Sequence, residues 1–514
     1  EIAQCLVGSE MCIRDRDYII INPIDNVAVC LRPFTKGEVI EGITLREDIP
    51  QAHKVALRPI KKGENIIKYG NPIGHATADI EPGCHVHTQN VATNLDDVIE
   101  YKYEPKYPEV LGYKSDRTVD VYERKTGEYG IRNELWIIQT VGCVSGMAND
   151  IISNFKEKYD TSKIDGVYTF QHPFGCSQMG SDLTLTRTLL QDMVKHPNAG
   201  GVLVLGLGCE ENLVSTFKET LGDYDESRTR FLIAQEVEDE VEEGTKLLKE
   251  LYDQMANDKR ITKPLSVLRI GLKCGGSDGM SGITANPLLG RFSDFLSING
   301  ATTVLGEVPE MFGAEKLLMA RAKNEQIFEE IVELINDFKH YFKEHNQVIY
   351  DNPSPGNKKG GITTLEDKSL GCTQKGGAAV VNGVLKMGQR IKEHGLNLLC
   401  TPGNDLVATT TLGCAGCQMV LFTTGRGTPF GGFIPTVKVA TNTTMATKKS
   451  NWIDFNAGDL VDKYSMNELL EKFIDLICDI ASGRTQTKNE KNNFREISIF
   501  KDGVVSVSYT HLRA

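Results

Sequence analysis

Short apolar runs separated by turns dominate residues 17–94. The runs include YIIINPIDNVAVCL and HKVALRPI, and glycine-containing turns such as KKGE, YGNPIG and EPGC recur about every ten residues. Alternating apolar residues with closely spaced turns are typical of strands rather than helices. We therefore predict a small β-rich domain over residues 17–94. Residues 95–120 contain two prolines and no clear period, which indicates a linker.

Beyond residue 121 the pattern changes to strand, glycine-rich turn and helix. Helical periodicity covers residues 149–159, 183–195 and 236–255, between apolar runs such as LWIIQTVG and VLVLGLG. Strands that alternate with helices of this length indicate βαβ units and a parallel sheet. A second set of apolar runs, from AAVVNGVL to TVKVAT, follows after residue 352.

A long amphipathic helix over residues 315–345 is predicted to separate these two sets of strands. The resulting lobes cover residues 121–350 and 351–505. The predicted fold class is α/β: a small N-terminal β-rich domain, then a large region of two α/β lobes with mainly parallel sheets.

Length, composition and charge indicate a soluble protein of more than one domain and argue against a membrane or nucleic-acid-binding protein. The 514 residues are too many for one ordinary core, and 40% hydrophobic with 25% charged residues is typical of a soluble globular protein. No apolar run approaches the roughly 18 residues of a membrane span. The net charge of −12 argues against a nucleic-acid partner. Thirteen cysteines without a short-range disulfide framework, and no evident secretory signal, favour the cytoplasm.

Both ends of the chain look foreign to the rest. CLVGSEMCIRDR near the start and SVSYTHLRA at the end resemble translated sequencing adapters. Residues 1–16 and 506–514 are therefore predicted to be non-native read-through and are excluded from fold reasoning. This exclusion removes Cys5, Cys12 and His511 as candidate site residues.

Four strand-like runs stop at a cysteine. LWIIQTVG precedes Cys143, VYTFQHPFG precedes Cys176, VLVLGLG precedes Cys209 and VLRIGLK precedes Cys274. If these runs are neighbouring strands of one parallel sheet, their carboxyl ends share the edge where α/β proteins place their sites. Any one of them is more simply a small buried apolar residue. Four in the same position favour thiolates that converge on a soft metal or a reaction centre.

Two histidines have a spacing that suits a binding or catalytic site. His85 and His87 in HVHTQN are two residues apart, so on a strand both side chains face the same side. Such a pair can hold a divalent metal, bind a carboxylate or transfer protons, although a solvated strand end explains it equally well. His53 and His75 lie in similar turns and extend the histidine-lined surface.

Acidic residues follow glycine turns at two places in the chain. Asp278 in KCGGSDGMSGITANP could hold a metal or a hydroxyl group. Glu210 and Glu211 stand after GLG, where they would repel a pyrophosphate, and a third glycine is lacking. The sequence therefore disfavours a nicotinamide site and a nucleotide-dependent dehydrogenase.

Two glycine-rich loops carry cations on an otherwise acidic chain. NPSPGNKKGGITT contains Asn357, Lys358 and Lys359, and TTGRGTPFGG contains Arg426. Arginine gives a forked contact to a carboxylate and lysine a point charge, so both loops are candidate anion clamps. The alternative is that the glycines form turns and the charges are merely solvated.

Taken together, the long motifs resemble the altronate/galactarate dehydratase family of sugar-acid hydro-lyases. The resemblance rests on HKVALRPIKKGENIIKYGNPIGHATADI, HVHTQN, GLGCE, CGGSDGMSGITANP, NPSPGNKKGGITTLEDKSLG and FTTGRGTP, and it runs from residue 25 to 501. NELWIIQTVGCVSG, EVPEMFGAEKLLM and LEDKSLGCTQKGG are more similar to the altronate branch than to the galactarate branch. The resemblance implies an N-terminal SAF-type domain and an iron-dependent, or manganese-supported, dehydration of D-altronate to 2-dehydro-3-deoxy-D-gluconate in hexuronate breakdown.

The candidate residues can be given roles in such a reaction. We predict that an iron site is built from the strand-end thiolates Cys176, Cys209 and Cys274, with Cys143 as a further ligand. It would hold a single Fe²⁺ or an iron–sulfur cluster with one open iron, and Mn²⁺ is an alternative ion. A hard-ion site would instead use Asp278, Glu210 and histidine nitrogens.

The remaining roles concern the sugar acid itself. His172 is the candidate base, and Asp278 and Glu210 are the other candidate catalytic groups. Arg426, Lys358, Lys359 and Asn357 are predicted to hold the substrate, with His85 and His87 reaching the site from the small domain. The expected partner is a small sugar acid, and a homo-oligomer is left open. Dehydration of galactarate or another polyhydroxy acid, and a non-catalytic thiolate–metal protein, remain the alternatives.

Overall fold

The protein is described here from a computed structural model that covers residues 16–95 and 99–503. Almost all of the two predicted read-through segments therefore lies outside the described residues. Within the described residues no helix is both long and apolar enough to cross a membrane. Residues 99–117, most of the predicted linker, contain no helix or strand.

The N-terminal domain is built from short strands, as predicted, and these strands pair antiparallel. One sheet has the order β1-β2-β5-β8, a second has the order β6-β7-β9, and β3 and β4 form a hairpin. Apolar side chains such as Ile60, Ile66 and Ile73 are fully buried between these strands. The strands are β1 Tyr18–Ile19, β2 Val27–Cys30, β3 Val39–Ile40, β4 Ile43–Thr44, β5 Lys54–Ala56, β6 Asn65–Lys68, β7 Asn71–Ala76, β8 His85–Val86 and β9 Val91–Ala92.

The middle domain contains a four-stranded parallel sheet of order β13-β12-β14-β15. Every residue of the central strand β12 is buried because helices cover both faces of the sheet. A smaller antiparallel sheet, β11-β10-β16, lies beside it. The elements are β10 Thr118–Glu123, β11 Tyr129–Gly130, β12 Glu134–Gln139, α1 Ser145–Lys158, β13 Gly166–Thr169, α2 Gly180–Val194, β14 Ala199–Gly206, α3 Val214–Glu219, β15 Thr229–Ile233, α4 Glu240–Met255 and β16 Ile261–Pro264.

The C-terminal domain is organised around a seven-stranded parallel sheet of order β19-β20-β18-β17-β21-β22-β23. Its strands are β17 Arg269–Cys274, β18 Thr302–Leu305, β19 Val381–Leu385, β20 Gly395–Leu399, β21 Met419–Thr424, β22 Thr436–Ala440 and β23 Phe455–Asn456. Its helices are α5 Ala285–Ile298, α6 Glu315–Met319, α7 Glu325–Glu344, α8 Pro355–Lys359, α9 Leu365–Cys372, α10 Asp405–Cys414, α11 Thr443–Lys448, α12 Met466–Ala481 and α13 Lys488–Lys491.

The α/β class and the strand-rich N-terminal domain are confirmed, but the division into lobes at residue 350 is corrected. Strands β17 and β18 precede that boundary and share one sheet with β19 to β23, which follow it. The predicted dividing helix is also two helices, because the Asn324 side chain accepts a hydrogen bond from the backbone N–H of Ile327 and starts α7 anew. Its apolar stripe packs into the main core instead of separating two lobes.

A buried ion cluster joins the N-terminal domain to the C-terminal domain. The ammonium groups of Lys54 and Lys68 each lie 2.9 Å from a carboxylate oxygen of Asp367 on α9, and all three side chains are almost completely buried. Burial opposes ionisation of Asp367, but the two lysines hold its pKa well below the usual value. The Thr93 hydroxyl adds a second bridge by donating to Glu366. Strand β5 is thereby fixed against the C-terminal domain.

Candidate functional site

Three histidines of the N-terminal domain form one cluster. His85 begins β8, which pairs antiparallel with β5 so that Val55 lies opposite His85. Continuing this register places His53 opposite His87. His53 Nδ1 and His85 Nε2 share a hydrogen bond of 2.9 Å, and one ligand nitrogen from each of the three rings lies within 4.8 Å of the others. The predicted pair is thus completed by His53.

The three rings have the chemical state that a metal ligand needs. Burial, the neighbouring His53 and then Lys54 lower the pKa of His85 to about 4. Burial and Lys54 lower that of His87 to about 3. The imidazoles are therefore neutral near pH 7 and offer lone pairs, and His87 Nδ1 is buried with no hydrogen-bond partner in the described part of the chain. Three neutral imidazoles suit a borderline divalent ion such as Fe²⁺, Mn²⁺ or Zn²⁺.

The loop after α8 lies directly against this cluster. The carbonyl of Lys359 is 3.3 Å from His53 Nε2, and the ammonium of Lys54 donates to the carbonyl of Gly361 at 2.8 Å. Gly361 has φ +101°, and a Cβ there would lie 2.3 Å from the backbone oxygen of Ala52. Only glycine permits this close approach of the two domains.

Asp278 organises the same region from the C-terminal domain. Its carboxylate accepts hydrogen bonds from the Thr441 hydroxyl at 2.9 Å and from the Asn442 amide at 3.0 Å. Burial raises its pKa. A Cβ at Gly360 or at Gly425 would collide with Asp278, so both glycine loops are packed onto it. The predicted catalytic Asp278 therefore holds loops together at the site, with its oxygens already engaged.

The predicted anion-binding cations belong to these loops. Lys358 is half-buried, Lys359 and Arg426 are exposed, and Arg426 directly follows Gly425. Within the described part of the chain, none of these three side chains forms an ion pair or hydrogen bond. Unpaired cations on a protein of net charge −12 are available for an anionic ligand.

A cavity of about 480 Å³ opens beside α8. This volume is within the range of small-molecule sites. Asn357 lines the cavity, and its amide donates to the carbonyl of Ser277 at 2.8 Å. Two residues later on the same short helix, Lys359 contacts the histidine cluster. The ionisable residues of the cavity wall are Cys274, Glu310, Lys368, Asp351, Asp405 and Tyr341.

Cys274 lies in a second, fully buried cluster at this wall. Its sulfur is 3.4 Å from that of Cys372, and the thiols of Cys274 and Cys372 donate to one carboxylate oxygen of Glu310 at 2.9 and 3.1 Å. The other oxygen of Glu310 is 2.6 Å from the Lys368 ammonium. Although burial opposes it, Lys368 and Lys375 lower the pKa of Glu310 to about 2. The hydrogen bond shared with Cys274 and burial raise the pKa of Cys372.

The other predicted iron ligands are placed elsewhere. Cys143, Cys176 and Cys209 follow β12, β13 and β14 of the middle sheet and are exposed, whereas Cys274 ends β17 of the seven-stranded sheet and is buried. The premise of one shared sheet is therefore corrected. Among the described residues, no group of three ligand atoms within 4.8 Å contains a cysteine of the middle domain.

His172 and Glu210 also lie in the middle domain. His172 is buried, its Nε2 is 2.9 Å from the Gln139 carbonyl, and its Nδ1 accepts from the backbone N–H of Phe174. Both nitrogens are thus engaged, which leaves none for the predicted base. Glu210 accepts from the Thr140 hydroxyl at 2.7 Å and from the backbone N–H of Gly208 at 2.6 Å. Both residues support loops at the carboxyl edge of the middle sheet.

Sequence reasoning missed several members of the site. His53 was noted only as a neighbour, although it precedes strand β5 much as His85 begins β8. Glu310 and Cys372 carry no comparable signal, because Glu310 lies in a 3₁₀ turn and Cys372 at the end of α9. Glu307, before the turn of Glu310, is left-handed with φ +67° and accepts from the backbone N–H of Cys274 at 2.8 Å. Such strain often accompanies functional sites.

Sequence models of one family match nearly all of the described chain. The altronate/galactarate dehydratase SAF domain matches residues 16–94. The second domain of D-galactarate dehydratase/altronate hydrolase matches residues 121–256, and the C-terminal domain of D-galactarate/altronate dehydratase matches residues 265–505. Each of the last two ranges contains one of the two parallel sheets.

Whole-length relatives agree with these matches. The chain is 57% identical over 492 residues to altronate dehydratase of Escherichia coli K12, covering 95% of this chain and 99% of the relative. It is 53% identical to altronate dehydratase of Bacillus subtilis 168, with the same coverage. Identity to galactarate dehydratase (L-threo-forming) of E. coli K12 is 33%, covering 92% of this chain and 94% of the relative. The resemblance found in the motifs is confirmed, and the chain belongs to the altronate/galactarate dehydratase family of lyases.

Proposed function

We propose that this protein dehydrates D-altronate to 2-dehydro-3-deoxy-D-gluconate in hexuronate breakdown. The observation that carries the proposal is the convergence of three neutral histidines with a loop pair that bears unpaired cations. Identity of 57% to a relative named altronate dehydratase, against 33% to one named galactarate dehydratase, favours altronate as the substrate.

His53, His85 and His87 are proposed to hold the metal, with Fe²⁺ as the first candidate and Mn²⁺ as the second. When bound, such an ion supplies Lewis-acid stabilisation of a substrate oxygen. The donor set supports this assignment, since all three residues offer ring nitrogens and His87 Nδ1 is buried with no hydrogen-bond partner among the described residues. This moves the metal from the strand-end cysteines of the initial prediction to the N-terminal domain.

The cationic loops are proposed to bind the carboxylate of the sugar acid. Dehydration removes the proton from C2 and expels the C3 hydroxyl as water, and the resulting enol becomes the 2-oxo acid. The C2 proton is weakly acidic while the adjacent carboxylate carries its full charge. Lys358, Lys359 and Arg426 would neutralise that charge and so make the proton easier to remove. Asn357 would orient a hydroxyl group of the chain from the cavity wall.

Proton transfer is proposed to involve the ionisable wall of the cavity. Cys274, Glu310 and Lys368 are connected by hydrogen bonds and form part of this wall. A positioned acid and base commonly contribute factors of about 10² to 10⁴ to such reactions. His172 is not used, because backbone groups occupy both of its nitrogens.

The setting proposed for the reaction is the reducing cytoplasm. Cysteines 274 and 372 lie with their sulfurs 3.4 Å apart and are both free, as are the three exposed cysteines of the middle domain. Paired free thiols of this kind persist where the surroundings are reducing.

A substrate panel tests the proposal. Anaerobically purified protein is treated with a chelator, resupplied with ferrous ion, and assayed for 2-oxo acid from D-altronate, galactarate and other hexonates. We expect turnover of D-altronate to depend on added ion and to exceed that of galactarate by at least about tenfold. Turnover of galactarate alone would contradict the substrate, and full activity of the chelated protein would contradict the metal.

A further inference from the structure

The carboxyl edge of the four-stranded middle sheet carries a second candidate metal site. We propose that Cys143, Cys176 and Cys209 bind an iron–sulfur cluster there. The proposal does not depend on the substrate or on the histidine cluster, because it concerns a different sheet and different ligands. It uses three of the cysteines first noticed in the sequence and leaves out Cys274.

Sheet topology brings the three cysteines to one edge. Strand β12 lies between β13 and β14, and all three run parallel. Cys143 follows β12, Cys176 follows β13 and Cys209 follows β14. Neighbouring strands are about 4.8 Å apart, so loops that leave three adjacent carboxyl ends emerge side by side. All three cysteines are exposed at this edge.

Hydrogen bonds lock the three loops to one another. The backbone N–H of Gly142 donates to the carbonyl of Phe174 at 2.9 Å, which joins the first loop to the second. The backbone N–H of Asn212 donates to the carbonyl of Gly175 at 3.1 Å, and its side-chain amide donates to the carbonyl of Thr140 at 3.0 Å. The third loop is thus tied to both others. The cysteine backbones therefore start from fixed positions.

The second loop also contains two residues with left-handed backbone conformation and a close backbone contact to the first loop. Ser177, beside Cys176, is left-handed with φ +56°, and its N–H donates to the carboxylate of Glu211 at 2.5 Å. Gly175 has φ +98°, and a Cβ there would lie 2.1 Å from the Thr140 carbonyl oxygen. His172 and Glu210 are buried beside these loops and hydrogen-bond to them. The proposed cluster gives these loop-supporting residues a role.

One cysteine on each of three adjacent loops suits a cluster better than a single ion. Thiolates on one ion, with metal–sulfur bonds of about 2.3 Å, must lie close together. Within the described residues these sulfurs do not form a group of three ligands within 4.8 Å. An iron–sulfur cluster places each thiolate on a separate iron and accepts wider spacing. Three cysteines would leave one iron of a cubane without a cysteine ligand.

A hydrogen bond to one sulfur is also present. The Gln235 amide lies 3.7 Å from the Cys209 sulfur and can donate to it. Hydrogen bonds to cysteine sulfurs stabilise the thiolate and tune the reduction potential of such clusters. At this exposed edge a bound cluster would have its fourth iron accessible to water or to a small oxygen-bearing ligand.

Anaerobic reconstitution tests the proposal. The complete chain is incubated with ferrous ion, sulfide and a thiol, desalted, and analysed for iron, acid-labile sulfide, visible absorption and electron paramagnetic resonance after reduction. We expect roughly four iron and four sulfide ions per chain at this site, above those bound elsewhere. Cys143→Ser, Cys176→Ser and Cys209→Ser should each remove more than half of the sulfide, whereas Cys84→Ser, in the N-terminal domain, should leave it unchanged.

Thermal unfolding of each variant separates loss of the cluster from loss of the fold. The three serine variants should retain the melting temperature of the unreconstituted wild type, because the altered side chains are exposed. Reconstituted wild-type protein that contains iron but no acid-labile sulfide would overturn the proposal. A sulfide content that none of the three substitutions lowers would also overturn it. These readouts are independent of turnover, so failure of D-altronate as a substrate would leave the cluster assignment standing.

Discussion

The two parallel sheets place cysteines at the same kind of position and give them different surroundings. Cys143, Cys176 and Cys209 stand at the open edge of the middle sheet, whereas Cys274 at the end of β17 is buried with Glu310 and Cys372. The N-terminal domain and helices α8 and α9 pack over the region after β17. A strand end therefore delivers a side chain to an edge, and the element that covers the edge determines its chemistry.

The largest expected effect comes from breaking the histidine cluster. His87→Ala removes a proposed metal ligand, so kcat/KM for D-altronate should fall by at least about 10² and retention of Fe²⁺ should decrease. His75→Ala is the matched control, because His75 lies in the same domain and contacts Asn94 instead of the cluster. The two variants are compared by steady-state kinetics and by metal content after dialysis. Equal kinetics and metal content in both would remove the cluster from the site.

The next largest effect concerns the packing of the N-terminal domain over the region after β17. Asp367→Asn leaves Lys54 and Lys68 buried without their carboxylate, which should cost about 3 to 5 kcal/mol of the free energy of unfolding. Asp79→Asn is the control, because the Lys61–Asp79 pair is exposed and should contribute less than about 1 kcal/mol. Urea unfolding of both variants measures the difference. A cost below 1 kcal/mol for Asp367→Asn would mean that another contact fixes the N-terminal domain.

A smaller effect is expected at the anion loops. Arg426→Met removes one of three cations proposed to bind the substrate carboxylate, so KM for D-altronate should rise about tenfold. Lys448→Met removes an exposed charge from the nearby helix α11 and should leave KM within about twofold. Initial rates over a range of D-altronate concentrations separate KM from kcat. An unchanged KM in the Arg426 variant would assign the carboxylate to other groups.

The mildest test uses wild-type protein and compares how fast the cysteines at the edges of the two parallel sheets react. Unreconstituted protein treated briefly with an alkylating agent should be labelled at Cys143, Cys176 and Cys209, and at least about tenfold more slowly at Cys274 and Cys372. Peptide mass spectrometry gives the rate at each position. Rapid labelling of Cys274 would show that the cover over the seven-stranded sheet opens readily.

Local pattern predicted the elements well, because alternation and helical period depend on neighbouring residues. The three predicted helices of the middle domain correspond to α1, α2 and α4, which begin and end within about four residues of their predicted limits. The lobes were not predictable in this way. Strand β17 pairs with β21, whose partner residues Ile270 and Met419 are far apart in sequence. No local pattern reports which of several parallel strands become neighbours.

The candidate site was predictable only in part for the same reason. His85 and His87 share a strand, so their spacing alone placed them on one face. His53 joins them through the pairing of β5 with β8, and Glu310 reaches Cys274 through packing of a turn against a strand end. His172 carried a misleading signal, since a histidine beside a strand end can support a loop as readily as it can transfer a proton.

The location of the catalytic ion is the most direct test of this account. Crystals grown without oxygen in the presence of ferrous ion and D-altronate would give an anomalous difference map at the iron absorption edge. We predict a peak enclosed by His53, His85 and His87, with the sugar carboxylate beside Lys359 and Arg426. An iron peak between Cys274, Glu310 and Cys372, with the histidines free of metal, would contradict it.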